Sequence, residues 1–235
     1  ESSEIQDFIE EYNNSLKFKN TKINIEKVDD KLSLDGSSDY YINDELTNTV
    51  KFNLKKNNDQ FFFDTFVDLS SLKLEFKDLD YFKKEGDSST LIVKGISQDN
   101  YILLKEIKFQ NLKNIFNFKN LKIENNKIIK LDNLNLNYLN KNNFKNKLSL
   151  NSINKDFQLK GESFDANTLI NKISNQSNND NLFNIFKNLN SNIFINIKKI
   201  QLDKNNKVNI LKGDLKIKQN EIYSLDISSN FSQNE

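Results

Sequence analysis

Apolar and polar residues alternate along most of this chain, in short runs separated by clusters of turn-forming residues. Runs such as 50–54 (VKFNL) and 193–197 (IFINI) place every second side chain on one apolar face. Such alternation is typical of a strand with one dry and one wet side. Stretches such as 57–59 (NND) separate the runs, and asparagine suits turns because it tolerates left-handed backbone conformations. The pattern predicts a mainly β protein, built as an antiparallel meander.

Three stretches depart from this alternation and predict short helices. Residues 4–12, 165–174 and 181–189 carry apolar side chains three and four positions apart, which is the spacing of an amphipathic helix. Asp165 precedes the second of these stretches and is a candidate N-cap. We therefore expect a helical insertion at 165–189 within an otherwise β-rich chain.

The fraction of hydrophobic residues indicates how the apolar faces of the strands could be covered. Only 36% of the residues are hydrophobic, which is low for a closed two-layer core. The dry face of each strand must meet a second sheet, the same sheet closed into a barrel, or a ligand such as a lipid. We favour the last arrangement: residues 1–235 form one elongated β-rich segment with a long, curved or open, groove-like sheet.

Several residue types are absent, and their absence bears on enzymatic chemistry. The chain has no His, Cys, Pro, Met or Trp, and all 34 of its basic residues are lysines. Thiolate metal sites, disulfides, and Ser-His-Asp or Cys-His catalytic groups are therefore impossible. We expect no enzyme, no cofactor and no metal. A carboxylate-based hydrolase stays open as a third possibility, and it would need two carboxylates converging in a cleft.

Charge and coding bias account for further features of the composition. The 34 lysines are balanced by 33 acidic residues, which gives a net charge of +1, and the two signs are interspersed. A nucleic-acid binder usually has a basic excess or a basic face, so we expect no nucleic-acid partner. The abundance of Asn, Lys, Ile and Phe is what AT-rich codons supply.

Three of the five glycines share an apolar-Lys-Gly context, at Gly95, Gly161 and Gly213. Each follows an apolar residue that could end a strand. We expect Gly161 and Gly213 to allow positive φ angles at strand ends, and Asp165 to act as a cap rather than as a site carboxylate.

Residues 157–166 (FQLKGESFDA), together with the helical stretch that follows, resemble a recurring element of the AsmA-like superfamily, which includes envelope proteins of the TamB and YhdP type. In that element a strand ends in glycine, an apolar-Asp pair follows, and a short helix comes next. The strand rhythm of residues 193–227, with a turn at Asn220, resembles the same family. The resemblance covers about residues 90–230, and its motifs are short.

This resemblance implies a function without catalytic residues. Such proteins are similar to long β-grooves in the periplasm, which carry phospholipids between the inner and outer membranes of a bacterial envelope. The resemblance implies phospholipid acyl chains and membrane proteins of the envelope as partners, and an inner-membrane anchor outside this chain. The implied lipid-contacting residues are Leu134, Leu136, Leu148, Leu150, Ile193, Ile195, Ile197, Leu215, Ile217, Leu225 and Ile227.

Two further features of the sequence agree with a segment of a longer protein. The chain starts at Glu1 rather than at Met, and it has neither a signal-peptide pattern nor an apolar run of about 20 residues. The alternative hypothesis is a structural or adhesive surface β-domain with a closed core and no transport role. The two hypotheses differ in exposed apolar surface, because only an open groove leaves a contiguous apolar strip.

Overall fold

The computed structural model describes residue 9 and residues 15–175, 185–203 and 205–231, and this part of the chain is mainly β-sheet. A single helix, α1 (Asn167–Asn175), and a short 3-10 helix at Lys77–Leu79 accompany the strands in the described ranges. The strands are β1 (Leu16–Val28), β2 (Lys31–Ile42), β3 (Glu45–Asn57), β4 (Gln60–Asp68), β5 (Leu74–Phe76), β6 (Tyr81–Lys83), β7 (Ser89–Gln98), β8 (Tyr101–Asn111), β9 (Asn114–Glu124), β10 (Lys127–Lys130), β11 (Asn133–Leu139), β12 (Lys145–Ile153), β13 (Asp156–Asp165), β14 (Ser191–Gln201), β15 (Lys207–Lys218) and β16 (Glu221–Phe231).

Fourteen strands form one sheet that is not closed into a barrel. The order is β1-β2-β3-β4-β7-β8-β9-β11-β12-β13-β14-β15-β16, with β10 paired to β9, while β5 and β6 form a separate hairpin. The prediction of a large open β-sheet is confirmed. It is wrong in one respect, because β13 and β14 are parallel. The connection between them contains α1, and a long connection lets the chain return to the end of the sheet from which it started.

The structure bears differently on each of the three predicted helices. The helix predicted at 165–174 is present as α1, whereas the one predicted at 4–12 lies outside the described residues except for Ile9. The third, at 181–189, is not helical over its described part, 185–189. Phe186 there forms a parallel bridge with Ile128, whose N–H donates to the Ile185 carbonyl at 2.8 Å. The described part of this stretch therefore lies beside β10.

Asparagine and aspartate form the hairpin turns, as the sequence predicts. Both central residues of the β9–β10 turn, Asn125 and Asn126, have positive φ angles, and so do Asn43 and Asp44 between β2 and β3. Two consecutive positive φ angles define the type I′ turn, whose twist matches that of the flanking strands. Asparagine thus replaces glycine in these turns.

Residues 69–88, here called the covering segment, leave the large sheet between β4 and β7 and lie on its apolar face. Tyr81 of this segment packs against Phe116 of the sheet, with ring centroids 4.8 Å apart, and Phe116 stacks on Tyr138 at 4.9 Å. Aromatic pairs at these distances add to the stabilisation from burial. The buried cluster around them consists of Leu74, Phe109, Leu136, Leu148, Phe164, Ala166, Ile197, Ile200 and Val208.

Hydrogen bonds from buried tyrosines hold the covering segment on the sheet. The Tyr138 hydroxyl donates to the Leu79 carbonyl at 3.0 Å, and the Tyr81 hydroxyl donates to Asn111 Oδ1 at 2.8 Å. Burial raises the pKa of both tyrosines well above the ordinary value, so both hydroxyls keep their protons and remain donors. The segment therefore has a specified position over the sheet.

A buried lysine fixes the internal shape of the covering segment. The side chain of Lys83 is fully buried, and its Nζ donates to the carbonyls of Ser70 (3.0 Å), Leu72 (2.6 Å) and Lys84 (2.9 Å). Three donors match the three hydrogens of an ammonium group. Burial lowers the pKa of Lys83, because it disfavours the charged ammonium group. Hydrogen bonds to the three carbonyls offset this cost of burial.

We predict that Lys83→Met destabilises the protein by about 1–3 kcal/mol, because it removes the three hydrogen bonds of a fully buried ammonium group. The Ser70 and Lys84 carbonyls keep backbone donors in Gly86 and Asp87, so the main loss falls on the Leu72 carbonyl. The measurement is the free energy of unfolding in urea. Lys84→Met is the matched control, since Lys84 is exposed, and it should change the free energy by less than about 0.5 kcal/mol. Equal effects of the two substitutions would contradict a structural role for the Lys83 ammonium group.

Gly161 and Gly213 do not have the conformations predicted from the sequence. Both lie inside strands, and among the glycines only Gly86 has a positive φ angle. Their role is close approach: a Cβ on Gly161 would lie 2.5 Å from Leu148 Cδ2, and one on Gly213 would meet the carbonyl oxygen of Asp226. The expectation of positive φ was therefore wrong, because cross-strand crowding rather than a turn requires these glycines.

The strand glycines also coincide with interruptions of strand register. Register shifts lie next to Gly36 in β1–β2, Gly95 in β7–β8, Gly161 in β12–β13 and Gly213 in β15–β16. A β-bulge bends its strand and increases the local twist, and glycine allows the bend. These four positions are therefore where the sheet has the means to curve.

We predict that Gly213→Ala costs about 1–3 kcal/mol, since the added methyl group meets a backbone oxygen that cannot move aside. Gly161→Ala should cost less, because the first atom met is the end of the flexible Leu148 side chain. Thermal and urea unfolding measure both, with Ser224→Ala on exposed β16 as the control. A larger loss for Gly161→Ala would contradict this ranking.

Candidate functional site

The candidate site is a row of apolar residues that crosses the whole sheet on one face. Each residue of this row, here called the central row, lies directly opposite the next one on the neighbouring strand. Thirteen strands contribute, and at about 4.8 Å per strand the row is about 58 Å long. Its members are Ile23, Gly36, Phe52, Thr65, Val93, Ile107, Phe118, Leu134, Leu150, Leu159, Ile195, Gly213 and Ile227.

The central row keeps access to solvent along its full length. Ile23 and Ile227, at the two edges of the sheet, are 51% and 50% exposed. The eleven residues between them are half-buried, and none is fully buried. Thr65 is the one member with a polar side-chain atom. The row is therefore a continuous apolar strip that no layer of the described structure seals.

A second row, two residues along each strand, is covered instead. This covered row runs beneath the covering segment and α1, and six of its members are buried. The covering segment thus forms a wall along one side of the central row. On the other side, residues 185–190 run from β10 to the β15–β16 turn and bond to Ile128 and Asn220, so this side is left open along the strands before β9. The members of the covered row are Val50, Val67, Leu91, Phe109, Phe116, Leu136, Leu148, Gly161, Ile197 and Leu211.

The opposite face of the sheet carries cross-strand ion pairs, together with apolar side chains such as Phe66 and Ile92, which lie directly opposite each other. Lys94 and Asp64 pair there across β7 and β4 at 3.0 Å, and Lys147 pairs with Glu162 across β12 and β13 at 2.7 Å. The Lys94 pKa is raised by Asp64, and the Glu162 pKa is lowered by Lys147. These pairs are exposed, so they contribute little stability. Their importance is that they mark this face as the solvated one.

All eleven residues that the resemblance implied as lipid contacts share the apolar face, but their environments differ. The members of the central row are Leu134, Leu150, Ile195 and Ile227. The residues on the side away from the covering segment are Ile193, Leu215 and Leu225. The buried residues are Leu136, Leu148, Ile197 and Ile217. These last four are core residues, so a ligand on the surface reaches the other seven.

Asp165 has the role of a local cap. Its Oδ1 accepts the N–H of Asn167, the first residue of α1, at 3.1 Å, and its Oδ2 accepts the Asn140 side-chain amide at 2.9 Å. The first contact satisfies one of the free N–H groups at the helix start, and the second joins the β11–β12 turn to the end of β13. Neither contact forms part of a ligand site.

The residues named from the sequence did not include the first half of the central row. Phe52, Val93, Ile107 and Phe118 continue the central row through the N-terminal strands. Phe52 precedes the stretch that the family resemblance covers, and the other three lie within that stretch but were not named as lipid contacts. Their alternation was visible in the sequence, but the alignment of one strand with the next was not. The wall was missed because residues 72–76 alternate like a strand of the meander, whereas the structure places them in the covering segment.

Other classes of site are absent from the part of the chain that the structure describes. No group of three or more acidic side chains comes close enough to hold a metal ion in these residues. Within the same residues, no helix is both long and apolar enough to cross a membrane.

Comparisons with known proteins gave no relative to guide the assignment. No protein-family model matches the chain, and neither a curated protein nor a solved structure matches it. Function is therefore argued from the geometry of the sheet.

We predict that the native protein binds an apolar-surface dye such as anilinonaphthalene sulfonate along the central row. The double substitution Ile107→Gln/Leu134→Gln should reduce the fluorescence, because it puts two polar amides on either side of Phe118. The control Lys108→Gln/Asn135→Gln changes the adjacent residues, which face the polar side. Circular dichroism confirms that both variants are folded. Unchanged fluorescence in the first variant would locate the dye elsewhere.

Proposed function

We propose that this chain is a segment of a bridge-like lipid-transfer protein, similar to the AsmA-like superfamily, whose apolar face shields phospholipid acyl chains from water. The observation that carries the proposal is the central row. It is apolar across thirteen consecutive strands, half-buried rather than sealed, and bounded on one side by the covering segment. A monomeric soluble protein rarely leaves so long an apolar strip without a use for it.

The chemistry of the face fits an acyl chain better than a ligand with polar groups. Burial of apolar surface stabilises a complex by about 25 cal/mol per Å², and methylene groups can use the whole row. A specific small-molecule site also supplies a few convergent polar groups. The central row offers only the Thr65 hydroxyl, so affinity would come from the chain and would discriminate little between headgroups.

The open side of the row provides a place for the headgroup. The hairpin turns at that side are polar, and examples are Asp29-Asp30, Asn58-Asp59 and Asp99-Asn100. A lipid whose tails lie on the central row would extend its headgroup past these turns into water. The wall on the other side is hydrophobic and well packed, so along β1–β8 the polar end of the lipid would extend toward these turns.

The proposal extends to location and partners through the family resemblance. A β-groove of this kind would lie in the periplasm, anchored at the inner membrane by a part outside this chain. It would exchange phospholipids with membrane proteins of the inner and outer membranes. The closed-core adhesive domain is disfavoured by the open sheet, because its core would require a second layer over the central row.

Site-specific photocrosslinking tests whether acyl chains lie on the central row. Benzoylphenylalanine at position 134 should crosslink to phospholipid on irradiation, since Leu134 belongs to the row. The same residue at position 135 should not, because Asn135 is exposed on the polar face of the same strand. Mass spectrometry of the irradiated protein, purified from bacterial envelopes, detects the added lipid mass.

Native mass spectrometry of the unmodified chain completes the test. Phospholipids bound in more than one copy per chain would support a groove. Equal crosslinking at positions 134 and 135, or a lipid-free chain after reconstitution with phospholipid vesicles, would overturn the proposal. A lipid-free chain that also gave no dye signal would favour the adhesive or structural alternative.

A further inference from the structure

The two edge strands of the large sheet have no strand on their outer sides among the described residues. β1 has 13 residues, all of them exposed, and β16 has 11 residues, nearly all exposed. A long edge strand presents a row of unpaired N–H and C=O groups, to which another strand can add. Proteins often protect such edges with proline, with lysine or with charges on the apolar side. β16 has none of these, whereas β1 carries four lysines, of which Lys27 lies on the apolar side opposite Leu32.

The apolar face reaches both edges without interruption. Ile25 on β1 is 68% exposed and Ile227 on β16 is 50% exposed, and both belong to the apolar side of the sheet. A strand added to either edge would bury these side chains as well as satisfy the backbone. The two edges therefore have the same requirement for a partner strand with one apolar side.

The directions of the edge strands make them compatible with each other. All neighbouring pairs in the thirteen-strand path are antiparallel except β13–β14, so β1 and β16 run in opposite directions. A second copy related by translation along the central row would place its β1 beside β16 in antiparallel orientation. Its apolar face would also lie on the same side. An all-antiparallel path of thirteen strands would instead have made this contact parallel, which is the less stable pairing.

The charges of the two edges are complementary. β1 carries four lysines and one glutamate, a net charge of +3. β16 carries Glu221 and Asp226 and no lysine, a net charge of −2. Contact between β1 of one copy and β16 of another brings opposite charges together, whereas contact between two β1 or two β16 strands brings like charges together. Complementary charge steers association and disfavours the wrong pairings.

We propose that copies of this chain associate head to tail, with β16 of one copy pairing antiparallel with β1 of the next, so that the sheet and its central row continue from copy to copy. Such a heterologous contact does not close on itself, and it produces open chains of copies rather than a dimer. The proposal rests on the edges alone and would hold even if the apolar face bound no lipid.

The test uses two variants that each block one edge. Ile25→Lys puts a charge on the apolar side of β1, and Ile227→Lys does the same on β16. Both side chains are exposed in the single copy, so the variants should fold like the wild type, which thermal unfolding verifies. Asn24→Lys and Ser228→Lys are the matched controls, because they add the same charge to the polar side of the same strands.

Sedimentation velocity at low ionic strength measures the result. The wild type and both controls should form oligomers whose size increases with protein concentration and decreases with added salt. Each blocked variant alone should be monomeric. An equimolar mixture of the two should form dimers and nothing larger, because β16 of the first variant and β1 of the second are both intact.

Two outcomes would overturn the proposal. A wild type that stays monomeric at all concentrations would exclude edge-to-edge association. A blocked variant that dimerises alone would show that like edges pair, in an isologous contact. Lipid binding is measured separately by crosslinking at position 134, so failure of association would leave the lipid-transfer proposal untouched.

Discussion

The structure depends on one constraint: a single sheet of fourteen strands has one apolar face, and the described residues cover only part of it. Alternating strands supply the apolar face automatically, because every second side chain points to the same side. Covering all of it would require a second sheet. The chain supplies instead the covering segment and α1, which seal one row and leave the next one half-exposed. The open central row is thus a consequence of how little of the described part of the chain lies above the sheet.

Polar contacts as well as apolar packing hold the covering segment in its position on the sheet. Its two short strands are too small to be stable by themselves. Lys83 holds its loops together through three carbonyls, and the Tyr138 hydroxyl anchors its 3-10 helix to β11. Because these bonds are directional, the segment stops at the covered row and does not spread over the central row. Directed polar contacts therefore define the width of the exposed strip.

The sequence predicts the strands well and their three-dimensional arrangement poorly, for physical reasons. Alternation identifies an individual strand because burial of one side is a local property. It cannot show that residues 72–76 leave the sheet, since a covering hairpin and a meander strand have the same alternation. It also cannot show the parallel pair β13–β14, or that Gly161 and Gly213 are needed for contacts with neighbouring strands. Each miss depends on a partner that is distant in sequence.

For the candidate site, too, the sequence indicates local features but not those that depend on residues distant in sequence. Seven of the eleven residues named from the resemblance lie on the accessible part of the face, and four are buried, because their burial depends on segments from other parts of the chain. The first half of the row has the same composition as the second and was overlooked, because the family motifs lie elsewhere. Register, which decides what forms a row, is set by turns and bulges.

The uniformity of the central row is its most informative property for the proposed function. A ligand is held in place where one position offers interactions that its neighbours lack. Here ten of the thirteen strands present an aliphatic or aromatic side chain, with glycine at two positions and threonine at one, so a methylene chain displaced by one strand would find nearly the same surface. The free energy of such a complex would vary little along about 58 Å, while the wall and the polar turns would keep the chain aligned. A surface with these properties suits movement along the row better than storage at one point.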